Sequence, residues 1–561
     1  MEHFHKMLYE LQGKHKRNLA NICLREFPFK YKTMLFGFAN INYRAPEEMI
    51  MKIKISSPFE PVEEKYAQVV ETYLLQRVFP AIKELHKSFY NINKEVFAKA
   101  RFTCQEADAR VVRRSGIEYI PDENVFILYV TIDFPLINGV AVSQKPSENA
   151  IKGILSTVNA VLESIEQVEI DACIHTNRIQ KQIRDFLIKH EFCAFVANGS
   201  ILPREKDTEA PLLNAIPFLA PKSLEITIHL DDGTFVTGMG IKCGITVITG
   251  GGYSGKTTLL NALQEGIYDK LPGDGREYVI TVGNALQTFA EDGRYVSNLD
   301  LSPFFKELPG GDVAKFSTDH ASGSISQAAN IIEAICGGCK LLLVDEDKSA
   351  TNLMIRDEVM RQLIKQEPII PFTDRINEFY QLHGVSSIIV IGGCSEFLFR
   401  ADRVIMMENY TALDVTNDIT NYISPYRLRE MPPKKMQNGR RIIPRATNHE
   451  FLYFKNISTT EQRKLVLDDY SVDITSLSTI KNLNQMNTLS SMLGWLLCDQ
   501  QANNDELIEK ILDILNQLFT GEKAFNVFNI NERRFYEEVR PIDAYSCVNR
   551  VRGVMFTADE D

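Results

Sequence analysis

Residues 250–257 read Gly-Gly-Gly-Tyr-Ser-Gly-Lys-Thr, which satisfies every fixed position of the phosphate-loop spacing G-x-x-x-x-G-K-[ST]. Gly250, Gly251, Gly252 and Gly255 let the backbone turn tightly enough for successive N–H groups, those of Tyr253 and Ser254 among them, to face phosphate oxygens. Lys256 can reach the β- and γ-phosphates and Thr257 can ligate Mg2+. Thr258 continues into a helix whose positive N-terminal end faces the same anion. Further along, Lys340-Leu-Leu-Leu-Val344 is a short apolar strand that ends in Asp345-Glu346. A carboxylate there can hold the Mg2+ shell, and the next one, Glu346, is placed to polarise a water attacking the γ-phosphate. The chemistry these residues can do is binding and hydrolysis of Mg-ATP.

Such groups need a scaffold, and the surrounding pattern supplies one. Ile245-Thr-Val-Ile248 reads as the buried strand before the loop, and Thr258-Leu-Leu-Asn-Ala-Leu263 has helical spacing after it. Leu224 to Ile248 alternates and breaks at Asp231-Asp-Gly233 and at Gly238–Gly240, as a meander of short strands does. From there to about Tyr410 strands and helices alternate, which predicts a parallel α/β sheet. The first 190 residues mix both patterns, with a helix predicted over Glu63–Tyr90 and a strand over Val125–Ile132. The expected domains are therefore an N-terminal α/β domain (1–190), the ATPase core (191–424), a basic linker or loop (425–446) and a mainly helical C-terminal domain (447–561).

Composition bounds the surroundings. The 561 residues are 44% hydrophobic and 24% charged, ordinary for a globular protein. The net charge of −11 argues against whole-surface attraction to nucleic acid or anionic membrane, while leaving room for a local basic patch. No apolar run reaches the roughly 18 residues that span a bilayer. The N-terminus lacks a signal-peptide pattern and the ten cysteines are scattered, so a soluble, intracellular, most simply cytoplasmic protein with reduced thiols is expected. Cys336-Gly-Gly-Cys339 has metal-like spacing but no second pair nearby, and reads as a helix-to-strand turn.

Ala321-Ser-Gly-Ser-Ile-Ser-Gln327 opens an apolar helical stretch that leads into the Asp345 strand. It resembles the signature sequence of ABC-type ATPases, at the interval that architecture uses. Ser322, Gly323 and Ser324 would then meet the γ-phosphate held by a second module, through N–H groups, hydroxyls and a helix dipole. A nucleotide kinase needs a phosphate loop too, but has no use for this turn. Ser349 and Asn352 fall where an ABC D-loop sits, with Asn352 in place of the usual aspartate. Glu291, or alternatively Gln287, falls where the Q-loop would contact metal or water. One departure stands out. After the strand Ser387–Ile391 the sequence is Gly392-Gly-Cys-Ser-Glu396, with no switch histidine. Either Ser395 or Cys394 takes its place, or hydrolysis is slow.

Taken together, Phe195–Arg204, the Gly250 loop, Pro272–Glu277, Ala321–Asn330 and Asp345–Asn352 resemble the "predicted ATPase of the ABC class" family, a soluble group distinct from transporters. The resemblance is dense from about Asp171 to Thr416 and thinner in the tail, at Arg533-Arg534 and Asn549-Arg-Val-Arg552. It implies an ABC core between an N-terminal α/β domain and a helical C-terminal domain, and a homodimer with two ATP molecules between its copies. Because a branch of that family is linked to RNA, RNA is the client it favours, with a protein client as the alternative. Basic residues could serve either. Lys14, Lys16, Arg17 and Arg25 lead into the aromatic-basic run Phe27–Lys32, which contains Lys30 and Lys32. Arg110, Arg113 and Arg114 form a second cluster. Lys434, Lys435, Arg440 and Arg441 dominate the linker.

Overall fold

The computed structural model describes residues 1–23, 27–40, 45–92, 100–206, 208–309, 311–419, 434, 440–443, 457–459, 463–467, 470–496, 504–519, 534–552 and 555–558. Most of the expected linker, with Lys435, therefore lies outside the described residues, as does Arg25. The chain divides into two compact units. One holds Met1–Arg178, Lys270–Pro272 and Leu515–Glu538; the other holds Ile179–Asp269, Gly273–Ile514 and Val539–Asp561. The described part of 447–561 holds three helices, Leu483–Leu496, Asn504–Leu518 and Pro541–Val548, beside the short strands Ile457–Thr459, Lys464–Leu467, Tyr470–Asp473 and Met555–Ala558.

The first unit is built on an antiparallel sheet. Phe29–Tyr31, Met34–Asn40, Glu48–Ser56, Val125–Asp133 and Arg101–Cys104 are neighbours in that order, and Ile117–Ile120 also pairs with Val125–Asp133. The near-continuous apolar run of Val125–Asp133 fits its central, buried place. Helices Ala67–Ile92 and Gln144–Glu163 share one core with this sheet, where Phe4, Phe36, Leu74, Leu128 and Ile151 are fully enclosed.

The second unit carries the phosphate loop. Its main sheet uses β1 (Ile245–Gly250), β2 (Ala285–Thr288), β5 (Leu341–Asp345), β6 (Ser386–Val390), β7 (Arg403–Glu408) and β8 (Thr411–Asp414). The order is β2-β5-β6-β1-β7-β8, parallel throughout except for β8 on the edge. Helix α1 (Lys256–Glu265) follows β1, and α2 (Gly323–Cys336) precedes β5. Between β2 and α2 the chain makes an antiparallel hairpin, β3 (Arg294–Leu299) with β4 (Phe316–Ala321). The predicted meander is present as Glu225–His229 and Phe235–Lys242, in a separate four-stranded sheet with Phe192–Ala197 and Val279–Thr281. Register sets the functional edge. Ile248 and Asp345 both lie across from Val390, so the loops leaving β1, β5 and β6 emerge together at the carboxyl ends of neighbouring parallel strands.

Candidate nucleotide site

The phosphate loop is held in a conformation that glycine makes possible. Gly250 has φ +140°, and a Cβ there would lie 2.2 Å from the Met407 carbonyl oxygen. Gly255, at φ +102°, precedes the first turn of α1. Lys256 Nζ donates to the Gly250 and Gly251 carbonyls, at 2.8 and 2.7 Å, and so closes the loop on itself. Ser254 is buried, and its hydroxyl has no hydrogen-bond partner among the described residues. Thr257 is exposed at the start of α1.

Asp345 is buried at the end of β5. Burial pushes its carboxyl above the ordinary 3.8, against the pull of the Asp347 N–H and the Lys348 charge. Glu346 turns to the loop after β6, where its Oε2 accepts from the Gly392 N–H at 2.6 Å and the Gly393 N–H at 3.2 Å. The groups that meet Glu346 in this loop are backbone N–H groups. Cys394 is buried, and burial drives its thiol up to about 11.

Ser322 is the exposed N-cap of α2, and its side chain makes no capping hydrogen bond. A Cβ at Gly323 would meet Asp292 Oδ1 at 3.0 Å, while Ser324 is half-buried in the first turn. Buried Gln327 ties this helix to the D-loop segment. Its Nε2 donates to Ser349 Oγ at 2.9 Å and its Oε1 accepts from the Ala350 N–H at 2.7 Å, while Ser349 Oγ itself donates to the Asp345 carbonyl. Asn352 is exposed and accepts from Arg356 at 2.7 Å. Sequence reasoning did not single out Gln327, although its position one helical turn inside the signature was a usable signal.

Glu291 has partners other than metal or water. Arg550 approaches it with two nitrogens, at 3.1 and 2.6 Å, and Asn330 Nδ2 donates at 2.7 Å. Arg294, Glu333 and Asn330 continue this network. Burial alone would raise the Glu291 carboxyl, but the Arg550 charge overrides it and holds the group down at about 2. Gln287, the alternative, is buried on β2, where it accepts from Ser478 Oγ at 3.3 Å.

Two basic candidates are structural. Arg114 is 1% exposed, bound to Glu537 at 3.1 Å and Asp108 at 3.0 Å; Arg113 pairs with Glu538 at 2.9 Å and stacks over Phe519. An arginine so committed has few donors left for a phosphate. Lys30 and Lys32 are exposed, the latter 3.5 Å from Glu163. Lys434 binds Ser302 and Glu378. Arg440 and Arg441 lie in a strand, Arg440–Ile443, paired with Met555–Ala558.

Residues 166–441 match ABC_ATPase, a P-loop domain. This segment is similar to that family. The chain is also 36% identical, over 293 residues, to an uncharacterised protein of Methanocaldococcus jannaschii; the match covers 49% of this chain and 64% of that protein. Solved structures include cbiO1 of Clostridium perfringens, part of the ABC transporter complex cbiONQ, at 14% identity over 41% of this chain and 91% of that one, with a TM-score of 0.25. Another is the ATP-binding cassette of an ABC transporter in its ADP conformation, at 16% identity over 33% and 86%, with a TM-score of 0.23. No helix among the described residues is long and apolar enough to cross a membrane.

The residues of this segment fit a magnesium nucleotide. The unpartnered Ser254 hydroxyl, the open space over Gly251 and Gly252 and the buried Asp345 carboxylate are the donor set such a ligand requires. Among the described residues no group of three or more His, Cys, Asp or Glu gathers around one point.

Proposed function

We propose that this protein is an ABC-type ATPase that binds and hydrolyses Mg-ATP, with two copies of the chain completing each site. The observation that carries the reading is the convergence of the Gly250 loop, Asp345 and Glu346 on one edge of the parallel sheet. Lys256 binds phosphate, the loop N–H groups orient it, and Thr257 and Asp345 hold Mg2+. Bound Mg2+ supplies charge neutralisation for phosphoryl transfer. Glu346 orients the water once it leaves the Gly392 and Gly393 amides. Ser322, exposed and uncommitted to its own helix, supports a role in trans at the partner's nucleotide. Sedimentation of Glu346→Gln tests the shared site: a monomer without nucleotide should become a dimer in Mg-ATP. A species that stays monomeric while binding ATP removes the second copy from the account.

For the client we propose single-stranded RNA, supported by the exposed Lys30 and Lys32 beside aromatic Phe27 and Tyr31. Binding should weaken steeply with salt; none at low salt contradicts it. The second reading is an ATP-gated scaffold for a protein partner with little turnover. It is favoured by the two amides that hold Glu346 away from a water-activating role.

A further inference from the structure

Helix α1 begins with the phosphate-loop residues Lys256 and Thr257, and its last turn is met by residues 476–481 of the tail. Gln264 Nε2 donates to Ser478 Oγ at 2.5 Å. Lys481 Nζ lies 2.7 Å from Glu265 Oε1, where a cation complements the negative end of the helix. Ser478 Oγ in turn donates to Gln287 Oε1 on β2 at 3.3 Å. One hydroxyl therefore joins the helix that carries Thr257 to the strand beside β5. Thr288, the next residue on β2, pairs with Val344, the residue before Asp345.

Residues 476–481 are themselves firmly held. Leu477 and Ile480 are buried, and Arg463 Nη2 donates to both of their carbonyls, at 2.8 and 2.5 Å. Thr479 Oγ1 donates to Asp543 Oδ1 at 2.8 Å, and the Lys481 N–H to Gln485 Oε1 at 2.7 Å. The side that receives them is looser. Gln287 Nε2 and Thr288 Oγ1 are buried with no hydrogen-bond partner among the described residues. Both residues line a cavity of about 10 Å3, room for about one water. The Gln287 amide is thus oriented by Ser478 more than by close packing. Helix α1 has ten residues, about three turns and roughly 15 Å. A helix that short moves as a rigid rod, so a displacement of its last turn reaches its first.

We propose that Ser478 and Lys481 are positioning residues for the nucleotide reaction. They clasp the far end of α1 against β2, and through the helix they set where Lys256 and Thr257 stand relative to Asp345. The proposal rests on the ATPase reading above and gives the tail a part in it without any contact to nucleotide.

The test uses the full chain and two readouts. Denaturant melts without nucleotide compare Gln264→Leu, Ser478→Ala and the double variant. Because the two side chains share one bond, the double variant should lose little more than the larger single loss; additive losses overturn the clasp. Steady-state phosphate release then gives kcat and KM for Mg-ATP. Ser478→Ala should lower kcat by about 10-fold and Lys481→Gln by about 3-fold, with KM within about 2-fold of wild type. Ser478→Thr and Lys481→Arg keep the hydroxyl and the charge and should restore wild-type values. Lys481 is exposed, so its variants decide the matter even where Ser478→Ala fails to fold. Unchanged kcat in either Ser478→Ala or Lys481→Gln overturns the proposal, as does a rise in KM with kcat unchanged. No turnover by wild type overturns the ATPase reading and the proposal with it, whereas turnover by wild type beside undiminished variants overturns the proposal alone.

Discussion

Glu346 is a catalytic candidate held by two backbone N–H groups, at 2.6 and 3.2 Å. A carboxylate so bonded is aimed and stabilised as an anion, but it must exchange those bonds for a water before it can orient one. Glu291 illustrates the opposite fate of a carboxylate: its two oxygens are spent on Arg550 and Asn330. Its carboxyl lies at about 2 when folded against an ordinary 4.5. A depressed carboxylate adds stability that is complete above pH 4.5 and is lost as the pH falls toward 2, roughly 3 kcal/mol in all. Thermal melts of wild type and Arg550→Ala should therefore differ most above pH 4.5 and converge in acid; a constant difference would contradict the assignment. The phosphate loop at Lys256 and Thr257 and the strand that ends at Asp345 were legible because they follow from local spacing. The partners of Glu291 and Arg114 were not, because they lie 259 and 423 residues away along the chain.

Among the elements, the hairpin β3–β4 and the arginines that flank the short helix Pro541–Val548 hold the segment that leads to Ser322. Arg552, just beyond that helix, donates to the Asp319 carbonyl on β4 and the Gly293 carbonyl before β3, at 2.7 and 2.6 Å. Arg540, just before it, donates to the Gly283 and Ala285 carbonyls at the start of β2. The tail thus fastens both ends of the segment that runs from β2 to Ser322. Arg552→Ala should lower stability by about 1–3 kcal/mol and weaken ATP-driven pairing of the chains, while leaving Mg-ATP affinity of the single chain unchanged. Denaturant melts and nucleotide titration check this, and unaltered pairing would contradict it. Elements with a strong period were legible: the helix predicted over Glu63–Tyr90 is Ala67–Ile92, and the strand predicted over Val125–Ile132 is Val125–Asp133. The tail was flagged only by Arg533-Arg534 and Asn549-Arg-Val-Arg552, since arginine contacts with distant carbonyls leave no periodic trace.

For the whole molecule, the tail residues divide between the two units, Leu515–Glu538 with the first and Val539–Asp561 with the second. The sequence reading placed a mainly helical C-terminal domain at 447–561, and helical spacing reports burial without saying against what. Net charge was equally silent on Arg113 and Arg114, which balance Glu538 and Glu537 instead of a nucleic acid. The central claim is chemical, that a chain with Glu346 and no switch histidine hydrolyses Mg-ATP. Steady-state phosphate release by wild type and Glu346→Gln tests it most directly. The account predicts Mg2+-dependent turnover by wild type and a loss of about 100-fold or more in the variant, with ATP still bound; equal rates, or no turnover by wild type, would contradict it.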